Sequence, residues 1–450
     1  MCGICGIAYN DVERTVDGNL IKKMCDVIYH RGPDDEGVYV NRNCGIAMRR
    51  LSIIDLVTGK QPISNETGDV WIVFNGEIYN HKEIRAELEA KGHKFATNTD
   101  TESIVHAYEE FGEACVEKLN GMFAFAIWDK RKNELFLARD RLGIKPLYYL
   151  FDKKRLVFGS EIKSILQAGD IPKRIDLQAL DNFLTFEYIP APLSIFQDIK
   201  KLAPGHTLTM KNNEIFIRKY WDLEVKKTEA DFFQRKEALR NMLQDAVKIR
   251  LMSDVPLGAF LSGGIDSSTI VALMSKVMDR PVKTFSIGFE DQTYNELEYA
   301  RLIAKKYNTE HQEFIIQPNA VELADHLLQY LDEPFGDFSI FPTYLVSKMA
   351  REYVTVILSG DGGDELFAGY DTYIADQMAD RFMKLPGFFR NKMLAPFLNA
   401  IPPSPKKKGL INRAKRFVEG MRLPDDLQHT RWMIFLQQLE REMLFTDDMK

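Results

Sequence analysis

The sequence predicts two domains of different class, an α+β domain with largely antiparallel strands followed by an α/β domain built on a parallel sheet. Three observations carry this. At 450 residues, and with roughly 100–200 residues per domain, the chain is long enough for two separate cores. Up to about residue 210 the apolar pattern is a series of short strand-like runs, and after about residue 230 it becomes an alternation of strand, loop and helix. The hydrophobic content of 45%, with 28 Gly and 18 Pro, is that of a folded protein and excludes collagen-like and wholly disordered classes.

The first domain opens on Met1-Cys2-Gly3-Ile4-Cys5-Gly6-Ile7-Ala8-Tyr9, an apolar strand at the N-terminus. Further strands are predicted at Gly45–Ile54, Val70–Tyr79, Met122–Trp128, Glu134–Asp140 and Arg155–Ser160. Turn chemistry at Asp129-Lys-Arg-Lys-Asn133 and Phe151-Asp-Lys-Lys-Arg155 punctuates them. Amphipathic helices interrupt them at His81–Lys91 and Thr101–Phe111.

The second domain starts with a helix, Phe232–Arg250. Strand Leu257–Leu261, helix Asp266–Met278, strand Val282–Phe289, helix Tyr294–Tyr307 and strand His311–Ile316 follow. Two more helices precede strand Val354–Leu358. Such alternation implies a parallel sheet with ligands at the carboxyl ends of its strands. The boundary falls within Lys211–Gln234, giving domains of residues 1–212 and 230–450. Residues 371–450 are helical in pattern, and Lys406-Lys407-Lys408 reads as a solvated face.

Charge and cysteine usage narrow the class. With 59 basic and 65 acidic side chains, the net charge of −6 offers no basic field for nucleic acid or anionic lipid. No apolar run reaches the ~18 residues of a membrane span, and no basic segment precedes an apolar stretch at the N-terminus. A cytoplasmic protein without a nucleic-acid or membrane partner is expected. The cysteines, Cys2, Cys5, Cys25, Cys44 and Cys115, are odd in number, which argues against a disulfide framework. Cys2 and Cys5 form a Cys-x-x-Cys that lacks the second pair a zinc site wants. It also begins a strand, where a redox pair opens a helix.

Cys2 becomes the first residue if Met1 is removed. Its free α-amine could then take the thiol proton, placing nucleophile and base on one residue; the plain alternative is a cysteine that merely packs. Around it, Arg31-Gly-Pro-Asp-Asp35, Arg50-Leu-Ser-Ile-Ile-Asp55, Asn75-Gly-Glu-Ile-Tyr-Asn80 and Asp100 supply what an amino-acid amide pocket requires. A guanidinium clamps an α-carboxylate, carboxylates hold an ammonium, and an Asn amide with a Gly N–H donates to a tetrahedral oxyanion.

In the second domain, Leu257-Gly-Ala-Phe-Leu-Ser-Gly-Gly-Ile-Asp-Ser-Ser268 is a strand, a glycine loop and a helix start. Ser262-Gly263-Gly264 lets backbone N–H groups approach an anion, and Ser267 and Ser268 add hydroxyls where the helix dipole favours negative charge. Neither a Walker Gly-x-x-x-x-Gly-Lys nor a Gly-x-Gly-x-x-Gly occurs here, which disfavours γ-phosphate transfer and dinucleotide binding.

Met1-Cys-Gly-Ile-Cys-Gly6, Arg50-Leu-Ser-Ile-Ile54 and Asn75-Gly-Glu77 resemble class II glutamine amidotransferases, N-terminal-nucleophile (Ntn) hydrolases of αββα architecture. The resemblance implies Cys2 as nucleophile and Asn75 with Gly76 as the oxyanion hole. It further implies Arg50 for the glutamine carboxylate, Glu77 and Asp100 for its ammonium, and the backbone of Leu51, Ser52, Ile53 and Ile54 as pocket lining. Ser262–Ser268, with Ser359-Gly-Asp-Gly-Gly-Asp-Glu365 about a hundred residues on, resembles the PP-loop of N-type ATP pyrophosphatases, an adenine nucleotide α-hydrolase-like fold.

The two halves in this order resemble glutamine-hydrolysing asparagine synthetases over residues 1–370. In that family ATP converts aspartate to a β-aspartyl-adenylate, and ammonia from glutamine displaces AMP. Carried over, ATP meets Leu261, Ser262, Gly263, Gly264, Asp266, Ser267, Ser268, Ile287, Ser359 and Gly360. Asp361 serves adenylate formation, at a position where many members have Glu. Asp266 and Asp364 share a Mg²⁺ ion. Asp332-Glu-Pro-Phe-Gly-Asp337 reads either as a family segment near this site or as a Pro-broken acidic loop. The implied substrates are glutamine, aspartate and ATP, and the implied assembly is a homodimer. Family members carry later Lys-x-Asp-Arg-x-Ser-Met and Pro-Phe-Leu-Asp stretches that do not occur in this sequence, which reads either as a fragment or as a natively short protein with an intact glutaminase half and impaired synthesis. Two other readings share these motifs: amidation of a different carboxylate such as a saccharide acid, and a truncated glutaminase or glutamine sensor without synthesis.

Overall fold

The computed structural model describes residues 1–289, 296–316, 320–384, 386, 388, 400–402, 410–421, 423 and 425–449. In chain order the strands are β1 (Gly3–Tyr9), β2 (Asp35–Asn41), β3 (Cys44–Arg50), β4 (Ile63–Ser64), β5 (Val70–Ile78), β6 (Gly121–Asp129), β7 (Glu134–Arg139) and β8 (Tyr148–Phe151). They continue with β9 (Arg155–Gly159), β10 (Ile199–Lys201), β11 (His206–Lys211), β12 (Glu214–Lys219), β13 (Leu257–Phe260), β14 (Lys283–Phe289), β15 (Glu310–Ile316) and β16 (Val356–Leu358). The first helices are α1 (Gly18–Asp26), α2 (His81–Ala90), α3 (Asp100–Phe111), α4 (Cys115–Lys118), α5 (Ile162–Ile165), α6 (Leu177–Phe186) and α7 (Phe232–Ile249). Then come α8 (Ile265–Val277), α9 (Leu297–Tyr307), α10 (Ala320–Leu328), α11 (Ile340–Ala350), α12 (Gly363–Phe367), α13 (Asp371–Phe382), α14 (Leu410–Gly420) and α15 (Gln438–Leu444).

The first twelve strands form two six-stranded sheets, β10-β8-β9-β1-β3-β2 and β12-β11-β7-β6-β5-β4. Strand alternation gives each sheet two apolar faces, and three clusters show what covers them. Ile4, Ala8, Ile46 and Met48 of one sheet meet Val73, Ala124, Ala126 and Leu137 of the other. On the outer face of the first sheet, Cys5, Ile7 and Val157 pack on Ile21, Met24, Ile162 and Ile165 of α1 and α5. On the outer face of the second, Ile72, Phe74, Phe125 and Ile127 pack on Ile84, Leu88, Ile104 and Tyr108 of α2 and α3. The order helix, sheet, sheet, helix is the αββα sandwich expected of an Ntn hydrolase. Cys5, Cys25, Cys44 and Cys115 are buried and unpaired, as core residues.

The strand–loop–helix alternation after residue 230 becomes a parallel sheet of order β15-β14-β13-β16. Leu257 and Ala259 of β13 face Val271 and Met274 of α8 and Ala300 of α9, while Phe260 faces Phe285 with Val346 of α11. Helices therefore cover both faces. Strand order reverses at β13, so the crevice between the carboxyl ends of β13 and β16 is the switch point where such sheets bind ligands.

Predicted strands match observed ones to within a residue or two, with two informative differences. Gly45–Ile54 was expected to run on, but β3 stops at Arg50. The Arg50 guanidinium turns back to donate to the carbonyls of Ile54, at 3.0 Å, and Asp55, at 2.7 Å, folding residues 51–54 into a loop. Only Val356–Leu358 of the expected Val354–Leu358 pairs as strand. Helix Tyr294–Tyr307 begins at Leu297, and Tyr294 with Asn295 lies outside the described residues, as does Lys406-Lys407-Lys408. By compactness the chain divides into Met1–Leu180 with Ile189–Ser359, and Asp181–Tyr188 with Gly360–Lys450. In the second unit Phe417 stacks on Trp432, whose indole N–H donates to Asp376 at 2.6 Å, and Arg441 pairs with Asp181 at 2.6 Å. Among the described residues no helix is long and apolar enough to cross a membrane.

Candidate active site

Four elements bring the predicted glutamine-site residues together at one end of the sandwich. Cys2 precedes β1, a central strand paired to β3 and β9. Its neighbour across the sheet is the end of β3, so the Leu51 N–H reaches the Cys2 Sγ at 3.4 Å. Arg31 Nε donates to the Cys2 carbonyl at 2.9 Å and fixes that backbone. Asn75, Gly76 and Glu77 end β5 of the facing sheet, and Asp100 opens α3 behind the capping Thr99.

These side chains line a cavity of about 270 Å³ with Met1, Arg50, Leu51, Ile53, Ile54, Gln61, Met122 and Lys145. Ser52 is not in its wall; the Ser52 N–H donates instead to Asp34 at 2.9 Å. Asn75 is buried, and its Nδ2 has no hydrogen-bond partner. An unsatisfied buried donor costs about 1–3 kcal/mol, so its retention fits a donor held ready for a developing oxyanion. A Cβ on Gly76 would stand 2.2 Å from the Met122 carbonyl, so only glycine fits there.

Burial sets the electrostatics. It pushes the Cys2 thiol up, and the Leu51 N–H draws it part of the way back. It lowers the Met1 amine to about 6, so an amine at this end of β1 is largely neutral near pH 7. Asp100 is pushed up to about 6 by burial, against the Ile78 N–H at 2.8 Å. Burial and then the Asp100 charge hold Glu77 well above the usual carboxylate range. A buried Asp100 beside a half-buried Glu77, each carboxyl pushed up, is an arrangement that suits an ammonium group.

Lys145 and Gln61 escaped the sequence reading. Lys145 sits in the turn after β7, where its N–H donates to Asp140 at 2.9 Å, and burial lowers its ammonium. Asp140-Arg-Leu-Gly-Ile-Lys145 looks like ordinary turn chemistry in sequence. Gln61 fixes the wall by accepting from Phe74 N–H at 2.7 Å and donating to Thr101 at 3.2 Å.

The cavity has one foreign wall, Thr355, Val356 and Ile357, where β16 begins. Loop 53–55 is tied to the same half of the chain: Asp254 N–H donates to Ile53 O at 3.0 Å, and Asp55 N–H donates to the Asp254 carboxylate at 2.8 Å. Asp332 pairs with Lys163 at 3.1 Å and Glu333 with Lys201 at 2.8 Å, so this acidic stretch is a tether to the first domain.

At the far end of the parallel sheet, Leu261 follows β13 and Ile287 lies near the carboxyl end of β14. Gly263 has φ +85°, and a Cβ there would meet Tyr299 Cβ at 2.6 Å, so the loop requires glycine. Ser262 Oγ and Ser267 Oγ bond at 2.9 Å, and the Gly264 N–H donates to Ser262 at 3.2 Å. Ser268 Oγ is buried without a partner, an orphaned hydroxyl at the start of α8. A glycine cradle, a helix N-terminus and an idle hydroxyl suit a phosphate. Asp266 stands in the first turn of α8. Ser359 follows β16, and Gly360, Asp361 and Asp364 lead into α12, where Gly362 has φ +90°.

Comparison with known proteins gives the family of each half. A glutamine amidotransferase domain family matches residues 1–221, and an asparagine synthase family matches residues 238–446. The chain is 39% identical over 418 residues to asparagine synthetase [glutamine-hydrolyzing] 1 of Bacillus subtilis (strain 168), covering 92% of this chain and 66% of that protein. It is 42% identical over 415 residues to putative asparagine synthetase [glutamine-hydrolyzing] 2 of Methanocaldococcus jannaschii, covering 87% of this chain and 79% of that protein. The chain belongs to the glutamine-hydrolysing asparagine synthetase family.

Proposed function

We propose that this protein uses ATP and glutamine to amidate aspartate to asparagine. Met1 removal frees the Cys2 amine, which takes the thiol proton. The thiolate attacks the side-chain amide carbon of glutamine, and Asn75 Nδ2 with the Gly76 N–H holds the oxyanion. Arg50 clamps the α-carboxylate, and Glu77 with Asp100 takes the ammonium. Collapse of the tetrahedral species expels ammonia, and water then hydrolyses the thioester to glutamate.

In the other half, the loop from Leu261 to Ser268, with Ile287, Ser359 and Gly360, holds ATP. The aspartate β-carboxylate attacks the α-phosphorus, releasing pyrophosphate, with Asp361 at the adenylation step. Ammonia then displaces AMP to give asparagine. The carboxylates of Asp266 and Asp364 are hard oxygen donors of the kind that suit Mg²⁺, which when bound would neutralise the leaving pyrophosphate. As proposed, the enzyme works in the cytoplasm as a homodimer.

One observation carries the coupling. The strand that walls the cysteine cavity, β16, runs on to Ser359 beside the Ser262 loop, a span of roughly 13 Å at about 3.3 Å per residue. Ammonia attacks only as the neutral base, and an apolar path along Val356 and Ile357 would keep it unprotonated. The test is pyrophosphate release from ATP with ammonia and a panel of carboxylates. Aspartate should stand out, with equimolar asparagine. Turnover with a saccharide acid instead would reassign the acceptor, and no pyrophosphate with any acid would leave a glutaminase or sensor.

A further inference from the structure

On the outer layer of the sandwich, away from Cys2, four side chains from three segments converge. Glu66 lies in the turn between β4 and β5, His93 follows α2, and His106 and Glu109 share one face of α3. One ligating atom from each lies within 4.8 Å of all the others. We propose that Glu66, His93, His106 and Glu109 form a structural site for a divalent transition-metal ion of the zinc class.

His106 is the reason to see more than surface charge. Its ring is fully buried, and neither nitrogen has a hydrogen-bond partner. Nδ1 lies 3.3 Å from Glu66 Oε2 and Nε2 lies 3.5 Å from Glu102 Oε1, ion-pair distances without hydrogen-bond alignment. The buried Glu109 Oε2 is likewise unsatisfied and faces His93 Nδ1 at 3.9 Å. Unsatisfied buried groups on both sides of one small volume suit a cation between them.

The surroundings are arranged as metal sites arrange theirs. Each imidazole has a carboxylate at its far nitrogen, Glu102 for His106 and Glu110 for His93 at 3.6 Å. With an ion bound, such a partner would fix the tautomer and turn the other lone pair inward; in this structure His93 Nδ1 instead meets Glu66 Oε1 at 3.2 Å. Asn65 Nδ2 holds Glu109 Oε1 at 2.9 Å, and the Lys94 N–H holds Glu66 Oε1 at 2.8 Å, leaving the remaining oxygens for a ligand. Two nitrogens and two oxygens from four residues match a closed, four-coordinate zinc set. Glu66 is exposed, which gives an ion a way in.

Charge sharpens the choice. Four carboxylates, Glu66, Glu102, Glu109 and Glu110, face two cations among the described residues, Arg131 on Glu109 and Lys91 on Glu110. The deficit of two positive charges is met either by one divalent ion or by two imidazolium protons. The test separates these. Full-length Cys2→Ala protein, which lacks the competing thiol, is stripped with chelator and titrated with Co²⁺ and then Zn²⁺. One equivalent of Co²⁺ with visible bands of four-coordinate intensity and no sulfur charge-transfer band is expected. Zn²⁺ should displace it and raise the Tm.

Loss of a ligand should exceed the ~10–100-fold weakening typical of losing an outer partner, so His93→Gln and Glu109→Gln should each abolish stoichiometric binding. Glu110→Gln, which removes the outer partner of His93 and the Lys91 ion pair without touching a proposed ligand, should weaken it within that range; circular dichroism checks that each variant folds. A stripped protein that takes up neither ion overturns the proposal in favour of buried imidazolium. Uptake that survives both ligand substitutions overturns it by placing the ion elsewhere.

Discussion

The two candidate sites are built on opposite plans. Around Cys2 three of the groups that would touch substrate are buried before any substrate arrives: Asn75 is 1% exposed, Asp100 4% and Arg50 5%. They sit where two packed sheets and a helix end meet. The Ser262 loop lies on the rim of a small sheet, and Ile265, at its helix start, is 85% exposed. A site that must activate a weak nucleophile and stabilise an oxyanion gains from preorganised, dry dipoles. A site that grips phosphate needs backbone N–H groups and room, and lets the ligand supply the charge. The first plan stores unfavourable interactions, namely an idle Asn75 donor and the Glu77 and Asp100 carboxyls, both pushed up chiefly by burial. The second stores a left-handed glycine.

If the plans are separable, each can be broken without the other. Cys2→Ala should abolish glutamine hydrolysis, by on the order of 10⁴-fold or more, and leave asparagine formation from ammonia intact. Gly263→Ala should do the reverse, because a Cβ at φ +85° would collide with Tyr299 at a strain of about 1–3 kcal/mol. Paired assays of glutamate and pyrophosphate read both. Loss of both activities in the Cys2 variant would end the division of labour.

Val356→Trp asks whether the shared wall matters. An indole there overfills the boundary, at a cost of about 1–3 kcal/mol, and should block passage while leaving Cys2 untouched. Glutamate should then form in excess over asparagine, and added ammonia should restore synthesis. An unchanged ratio would separate the cavity wall from ammonia delivery.

The sequence was most legible where one rule sufficed. Short apolar runs marked the strands β1, β3, β5, β6, β7 and β9, and the Ser-Gly-Gly loop announced the end of β13. It was least legible where a side chain overrides pattern. Leu51-Ser-Ile-Ile54 has strand composition, yet Arg50 bonds its carbonyls and makes it a pocket lip; Ser52 then turns to Asp34. Lys145 and Gln61 reach the cavity only because distant turns are stacked beside it, and nothing in their local sequence says so. The His106 cluster draws on three segments, and only its His-x-x-Glu spacing on α3 is visible in the chain.

The smallest effect tests the buried carboxyl at the first site. Asp100 has an ordinary value of 3.8 and is held at about 6 in the fold, so the folded protein binds this proton more tightly than the unfolded chain. The associated stability is therefore present below pH 3.8 and is lost as pH rises through 6, at up to about 1.4 kcal/mol per pH unit. Without glutamine, the Tm should fall between pH 5 and 7.5, and Asp100→Asn should flatten that slope. Glutamine carries the compensating ammonium, so it should raise the Tm of the parent protein more at pH 7.5 than at pH 5. Its KM should climb as pH drops below 6 and the pair takes up its proton. If Asp100→Asn keeps both the slope and the KM profile, the titrating group lies elsewhere and Glu77 with Asp100 is not the ammonium receptor.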